Sequence, residues 1–226
     1  MTPGVFVVAI DGPAGAGKST LARMAAARLG MRYLDTGALY RALACHMRAN
    51  GIPPVDSPAL EAALDSVSLK LDGDRVLLNG EDISDAIRSP ATDSIVSAYA
   101  ALPSLRRRLL SIQRDQVGFG PLIADGRDMG TVVFPDADVK IFLTASDEVR
   151  AARRLKEQIE RGEEVTYEQV LETIRSRDRT DSERSAAPLR KADGAVEVNT
   201  DELSIEQAVE AIASIISRGR GGAPRG

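Results

Sequence analysis

The feature that most constrains this chain is an apolar run that turns through glycines straight into a helix. Val5-Phe6-Val7-Val8-Ala9-Ile10 is continuous and rich in β-branched residues. That is the pattern of a strand buried on both faces in a parallel sheet. Gly12-Pro13-Ala14-Gly15-Ala16-Gly17-Lys18-Ser19 follows, and it fits the pattern G-x-x-x-x-G-K-[ST]. A helix is then predicted from about Lys18 to Leu29, with Gly30 as its left-handed stop. Glycines let successive backbone N–H groups face one anion without side-chain clash. The helix N-terminus adds partial positive charge. Lys18 can reach the β- and γ-phosphates, and Ser19 can offer a hydroxyl to Mg²⁺, partly through water. A turn that merely caps a helix is the plain alternative, and the strand–loop–helix context argues against it. Gly12, Pro13, Ala14, Gly15, Ala16, Gly17, Lys18, Ser19 and Thr20 are therefore the expected triphosphate-binding residues.

Four more short apolar runs read as strands: Arg32–Leu34, Leu122–Ala124, Val139–Leu143 and Ala195–Val198. Helical stretches separate them, at about Ala38–Asn50, Pro90–Ala101, Ser104–Gln116, Asp147–Arg161, Thr166–Asp178 and Ser204–Ser217. Thr166 with Gln169, and Ser204 with Gln207, have the spacing of helix-opening caps. Five buried strands alternating with helices give an α/β fold, a P-loop NTPase type with a five-stranded parallel sheet flanked by helices. Between them lies a segment of different character. Ser57-Pro58 opens a short helix, then Val67–Leu71 and Arg75–Leu78 alternate at period two around Asp72-Gly73-Asp74, and Asn79-Gly80 turns again. This small antiparallel sheet reads as an insertion. Arg218–Gly226 reads as a frayed, flexible tail.

Composition narrows the function. The 226 residues carry a net charge of −4, no Trp, and only eight Phe or Tyr. Bulk attraction to a polyanion and base stacking on an aromatic surface are both disfavoured, so no nucleic-acid partner is expected. One cysteine excludes an internal disulfide framework and a multi-cysteine zinc site. Cys45 and His46 adjoin on one helix, where packing or surface exposure is expected rather than catalysis. The early apolar run is too short for a membrane span and lacks a charged leader, so the expectation is a cytoplasmic protein without a membrane partner. A GTPase would need an N-K-x-D segment, which the sequence lacks. A short P-loop chain with insertions suits a small-molecule phosphotransferase.

Ligands of open parallel sheets lie beyond the carboxyl ends of the strands. There the sequence places Asp35–Gly37, Asp125–Asp128 and Asn199–Asp201. Arg41 falls about one turn into its helix, Arg127 and Asp128 sit in a glycine-flanked loop, and Arg175–Arg184 is a dense mixed-charge segment. Loop salt bridges and a solvated, ion-paired helix face are the plain alternatives for these charges. Arg106-Arg107-Arg108 is read as one inward and two solvated arginines, since consecutive helical residues diverge. Asp125 could position Mg²⁺ through water or make a structural loop bond.

Four blocks together, Ile10–Thr20, Leu34–Arg41, Ile123–Ala137 and Arg177–Arg184, resemble the bacterial cytidylate kinase family, a branch of the P-loop nucleoside monophosphate kinases. The likeness runs from about Val5 to Ser217. It implies ATP-dependent phosphorylation of CMP and dCMP, with ATP as donor and Mg²⁺ as cofactor, in a monomer. It implies that Arg41 and Arg127 hold the acceptor phosphate and that Arg184 reaches it from a lid. Thr36, Ser97, Arg106 and Asp128 would surround cytosine, and Arg177 and Asp181 would contact the sugar. With Lys18, the arginines Arg41, Arg127 and Arg184 would make up the catalytic set. Position 36 departs from the family's Ser, but Thr keeps the hydroxyl. Arg150, Arg153 and Arg154 all compete for the role of further lid arginine. The family layout implies a single domain: a core at about 1–35, 103–148 and 185–217, a monophosphate-binding insertion at about 36–102, a helical lid at about 149–184 and a tail at 218–226. Another P-loop nucleoside or small-metabolite kinase, and a nucleotide-dependent regulatory switch, are the alternatives.

Overall fold

The computed structural model describes residues 5–73 and 75–222. The chain divides into two compact units, one built from residues 1–34 and 117–226 and the other from 35–116. Among the described residues, no helix is long and apolar enough to cross a membrane.

The first unit carries a five-stranded sheet, ordered β2-β6-β1-β7-β8. Its strands are β1 (Val7–Asp11), β2 (Arg32–Asp35), β6 (Leu122–Gly126), β7 (Val139–Thr144) and β8 (Val196–Asn199). β1 pairs in parallel with β6 on one side and β7 on the other, and β7 pairs in parallel with β8. Every residue of β1 and β6 is buried, as continuous apolar runs in the middle of a parallel sheet require. Helices α1 (Lys18–Leu29) and α9 (Ile205–Gly222) close one core. The buried positions of α1 are mostly alanines, Ala22, Ala25 and Ala26, which let the helix approach closely, while α9 presents Val209, Ile212 and Ile216 at helical spacing. α9 runs to Gly222, beyond the helix end at Ser217 that the sequence pattern gives. Residues 223–226 of the expected tail lie outside the described residues.

Two further helices, α7 (Asp147–Glu160) and α8 (Tyr167–Glu183), pack as a hairpin around Ala151, Val170 and Ile174. Thr166 and Gln169 make the reciprocal capping bonds that their spacing predicts. Ser204 and Gln207 do the same before α9. α8 extends five residues past the predicted Asp178, so that Asp181 is still helical.

The second unit holds α2 (Thr36–Ala49), α3 (Pro58–Ser66), α4 (Pro90–Asp93), α5 (Val96–Ala100) and α6 (Pro103–Asp115), with the antiparallel strands β3 (Leu69–Asp72), β4 (Arg75–Leu78) and β5 (Glu81–Asp82). The expected hairpin is a three-stranded sheet, ordered β3-β4-β5. The two acidic residues of β5 gave no strand signal. Asn79 and Gly80, both at positive φ, form the turn the sequence marks; part of the other expected turn, at Asp74, lies outside the described residues. The single helix expected over 90–101 is two short ones. Ser89 and Thr92 bond each other's hydroxyls, and the Ser94 hydroxyl donates to the Ala91 carbonyl. Such side chains compete with helical backbone bonds.

Ile123 lies fully buried in β6 and belongs to the main core. Ile123→Ala should therefore lower unfolding free energy by about 2–5 kcal/mol. Urea unfolding checks this; a loss far below that range would mean the β6 core is not closely packed.

Candidate active site

The glycine-rich loop lies between β1 and α1, where the sequence places it. Its conformation needs glycine. Gly12 has φ 151°, and a Cβ there would stand 2.0 Å from the Leu143 carbonyl oxygen on the neighbouring strand. Gly17, at φ 82°, occupies the N-cap of α1 with no side chain capping the helix. The first N–H groups of α1 are therefore left for an anion. Lys18 is buried and donates from Nζ to the Pro13 carbonyl at 2.7 Å. Burial and the nearby Arg127 guanidinium push its pKa well below the usual lysine range; Arg177 adds to that, while Asp125 and Asp11 oppose it. An anion bound in the loop would reverse this shift.

Beside Lys18, buried Asp125, the penultimate residue of β6, accepts two hydroxyls, Ser19 at 3.0 Å and Tyr33 at 2.7 Å. Asp11, at the end of β1, accepts the backbone N–H groups of Met129 and Gly130. Beyond β6, Arg127 donates from Nε to Asp181 at 2.9 Å, and Arg184 lies 3.7 Å from Asp181 and 3.9 Å from Asp128. Asp181 and Asp128 are both buried. Burial alone would raise the Asp181 pKa, but the guanidiniums of Arg127, Arg177 and Arg184 outweigh it and hold the carboxyl below its usual range. Lys18, Arg127, Arg177 and Arg184 thus form one positive group, threaded by carboxylates.

The second unit carries a smaller set. Asp35 caps α2 by accepting from the Ala38 N–H, and Thr36 is buried in the first turn. Arg41 pairs with Asp93 at 3.3 Å, and its guanidinium crosses so close to Gly37 that a Cβ there would meet it at 2.9 Å. Arg106 stacks on Tyr40, 5.4 Å from the ring centroid, and donates to the Ala100 carbonyl. Ser97 is half-buried on α5.

A family model described as cytidylate kinase matches residues 8–218. A cytidylate kinase from Carboxydothermus hydrogenoformans is 45% identical, over 93% of this chain and 97% of that protein. One from Fervidobacterium nodosum is 46% identical, over 92% and 95%. This chain belongs to the cytidylate kinase family. Among solved structures, an uncharacterized protein from Eubacterium ventriosum is similar with a TM-score of 0.52, covering 94% of this chain and 98% of that one. At 11% identity that likeness shows the fold alone.

Within this family member, the first unit gathers Lys18, Ser19, Arg127, Asp128, Arg177, Asp181 and Arg184 from three separate stretches of sequence. The second unit carries Thr36, Arg41, Ser97 and Arg106. Gly12 through Thr20 form the loop and the opening of α1, with Ser19 and Thr20 exposed. Arg106-Arg107-Arg108 differs from expectation. Only Arg107 is exposed, while Arg108 donates to the Leu64 and Val67 carbonyls at the end of α3. Free carbonyls at a helix end are a ready sink for a guanidinium, so Arg108 is drawn in beside Arg106, while exposed Arg107 pairs with Glu61 at 3.4 Å. Cys45 lies 2.9 Å from the Thr92 hydroxyl, a local packing contact.

The three arginines considered for the lid make different contacts. Arg150 is buried and donates to the Ala14 carbonyl of the phosphate loop, while pairing with Asp178 of α8 at 2.6 Å. Arg153 bonds Thr200, and Arg154 pairs with Glu157 on its own helix. Sequence reasoning missed Asp11 and Tyr33. A carboxylate closing a fully apolar strand was the available sign for Asp11; Tyr33 offered none.

Asp181 is the carboxylate on which this positive group depends. Asp181→Asn should cost on the order of 3 kcal/mol at neutral pH, because it leaves buried guanidiniums uncompensated. A depressed folded-state pKa gives stability that is complete above the unfolded value of 3.8 and fades as pH falls through the folded value. The gap between wild type and variant should therefore hold from neutrality down to about pH 4 and shrink below it. Denaturant titrations across that range check this; a gap independent of pH would contradict it.

Proposed function

We propose that this chain transfers the γ-phosphoryl group of ATP to CMP or dCMP, releasing ADP and the pyrimidine nucleoside diphosphate. One observation carries the reading: a buried loop lysine, Lys18, stands among arginines in a chain of the cytidylate kinase family. The relatives named above, both cytidylate kinases, support the same acceptor.

The attacking group is a phosphate oxygen, already anionic at neutral pH, so no general base is required. The task is to bring two polyanions together in line. Lys18 takes the β- and γ-phosphates, and the backbone N–H groups of Ala14–Ser19 surround them. Arg127 and Arg184, with Arg41 from the second unit, take the acceptor phosphate through paired N–H···O bonds that never lose their charge. Asp181 and Asp128 hold the first two guanidiniums in place beforehand, which saves ordering them at the moment of transfer. Arg177 and Asp181 are assigned to the sugar. Thr36, Ser97, Arg106 and Asp128 are assigned to cytosine. A carboxylate accepts from the N4 amino group of cytosine but meets a carbonyl on uracil, a mismatch that discriminates strongly. Stacking on Tyr40 and the bond to Ala100 hold Arg106 in one orientation, as a base-reading donor needs.

Ser19 and Asp125 fit a hard divalent cation, since both present oxygen. No cluster of three His, Cys, Asp or Glu among the described residues could hold a metal ion by itself. Mg²⁺ would therefore complete its shell with phosphate oxygens and water, which is its usual habit. Bound there, it would neutralise charge on the β- and γ-phosphates. Residues of about 36–102 are assigned as the acceptor lobe, and residues of about 149–184, most of the α7–α8 hairpin, as a lid that excludes water. The hairpin's own small core around Ala151 and Val170 supports its acting as one body. The reading includes a monomeric, cytoplasmic enzyme, following the family resemblance.

Coupled ADP-release assays with a panel of monophosphates test the reading. Turnover should be rapid with CMP and dCMP and slow with UMP, AMP and shikimate; preference for any of the last three would overturn the acceptor. Lys18→Ala should lower kcat by roughly 10²–10³-fold with the fold intact by circular dichroism, and an unchanged kcat would remove Lys18 from the reaction. Asp128→Asn should narrow the ratio of CMP to UMP turnover by at least about tenfold. An unaltered ratio would take Asp128 out of base reading.

A further inference from the structure

Asp11 has no part in the transfer just described, yet it is 3% exposed and both of its oxygens are engaged. Oδ1 accepts from the Met129 N–H at 2.7 Å, and Oδ2 accepts from the Gly130 N–H at 2.8 Å. These two amides open a wide helical turn, Met129–Val133, that starts directly after Arg127 and Asp128. Val132 and Val133 then donate back to the Asp128 carbonyl, at 2.9 and 3.1 Å. The turn has no slack. A Cβ on Gly130 would meet Ala192 Cβ at 3.1 Å, Lys140 Cδ at 3.3 Å and Asp11 Oδ2 at 3.4 Å. We infer that Asp11 is a positioning residue that clamps this turn and so sets Arg127 and Asp128 in register with the phosphate loop. The inference rests on the phosphotransfer reading, because it assigns those two residues to the acceptor.

The chemistry explains why an ionised carboxylate stands here. Two N–H donors converge on one side chain, and only a carboxylate offers both an acceptor. An amide would turn its NH₂ toward one donor, and a protonated carboxyl would turn its O–H. Burial pushes the Asp11 pKa up to about 6, against the pull of the two amide bonds; Asp128 raises it further and Lys18 lowers it. Lys140 is the other charged group against the turn. The phosphate loop is anchored separately. Gly12 lies on the Leu143 carbonyl, Lys18 on the Pro13 carbonyl, and Arg150 holds Ala14. Loss of the clamp should therefore fall on the acceptor and spare ATP.

Asp11→Asn in the full chain tests this. KM for CMP should rise roughly 10- to 100-fold and kcat should fall, while Kd for ATP stays within about twofold. A merely structural role would lower thermal stability and weaken both nucleotides alike. Independently of any variant, the Met129 and Gly130 amide proton resonances of the wild type should move together with pH, with a midpoint at about 6. Equal losses for CMP and ATP, unchanged kinetics, or amides that do not titrate would each overturn the inference. If Asp11→Asn fails to fold, the wild-type titration decides. Absence of CMP turnover in the wild type would sink the activity reading instead, and the amide titration would still report on the clamp.

Discussion

Crowding of positive charge around Lys18 is the constraint on which the site depends. A lysine that is 6% exposed, with Arg127 and Arg177 acting on it, is unfavourable unless something negative arrives. Carboxylates keep the arrangement from flying apart in the meantime. Asp181 faces Arg127 and Arg184, Asp128 faces Arg184, and Asp125 and Asp11 offset Lys18. The result is a preformed cluster of positive charge, for which we propose phosphate as the partner. Pre-organisation of this kind moves the cost of ordering from the reaction to the fold.

The sheet makes such crowding possible. β1 and β6 are buried on both faces and pair in fixed register, so Asp11, at the end of one, lies opposite Gly126, at the end of the other. Two strand ends then deliver the phosphate loop and the Arg127–Asp128 loop as neighbours. Backbone contacts finish the work: Gly12 rests on β7, and the Asp11 carboxylate gathers the amides of the following turn. Hydrogen bonds to backbone are less adaptable than side-chain pairs, which suits a site that must hold charges at fixed separations.

Much of this was legible in the residues. Continuous apolar runs marked β1 and the start of β6, shorter mixed runs marked β2, β7 and β8, and the glycine pattern marked the turn between β1 and α1. Capping pairs at Thr166 and Ser204 marked two helix starts to the residue. What was not legible depended on contacts distant in sequence. Asp11 and Met129 are 118 positions apart, and no local period connects them. Among Arg150, Arg153 and Arg154, it is Arg150 that bonds the Ala14 carbonyl, across 136 residues. The break after Asp93 falls where the Ser94 hydroxyl bonds the Ala91 carbonyl, and β5 came from acidic residues recruited by a neighbouring strand. Local patterning sets elements; partners from far along the chain decide which polar side chains inside them are engaged.

Lysine side-chain NMR, with and without ATP, gives the most direct measure of whether this charge is held in wait. The chain has only five lysines, so Lys18 can be resolved. If the receptor is as described, Lys18 titrates well below its ordinary value of 10.5 in the free protein and moves upward when ATP and Mg²⁺ are added. A Lys18 that titrates at its ordinary value, and does not respond to ATP, would contradict it.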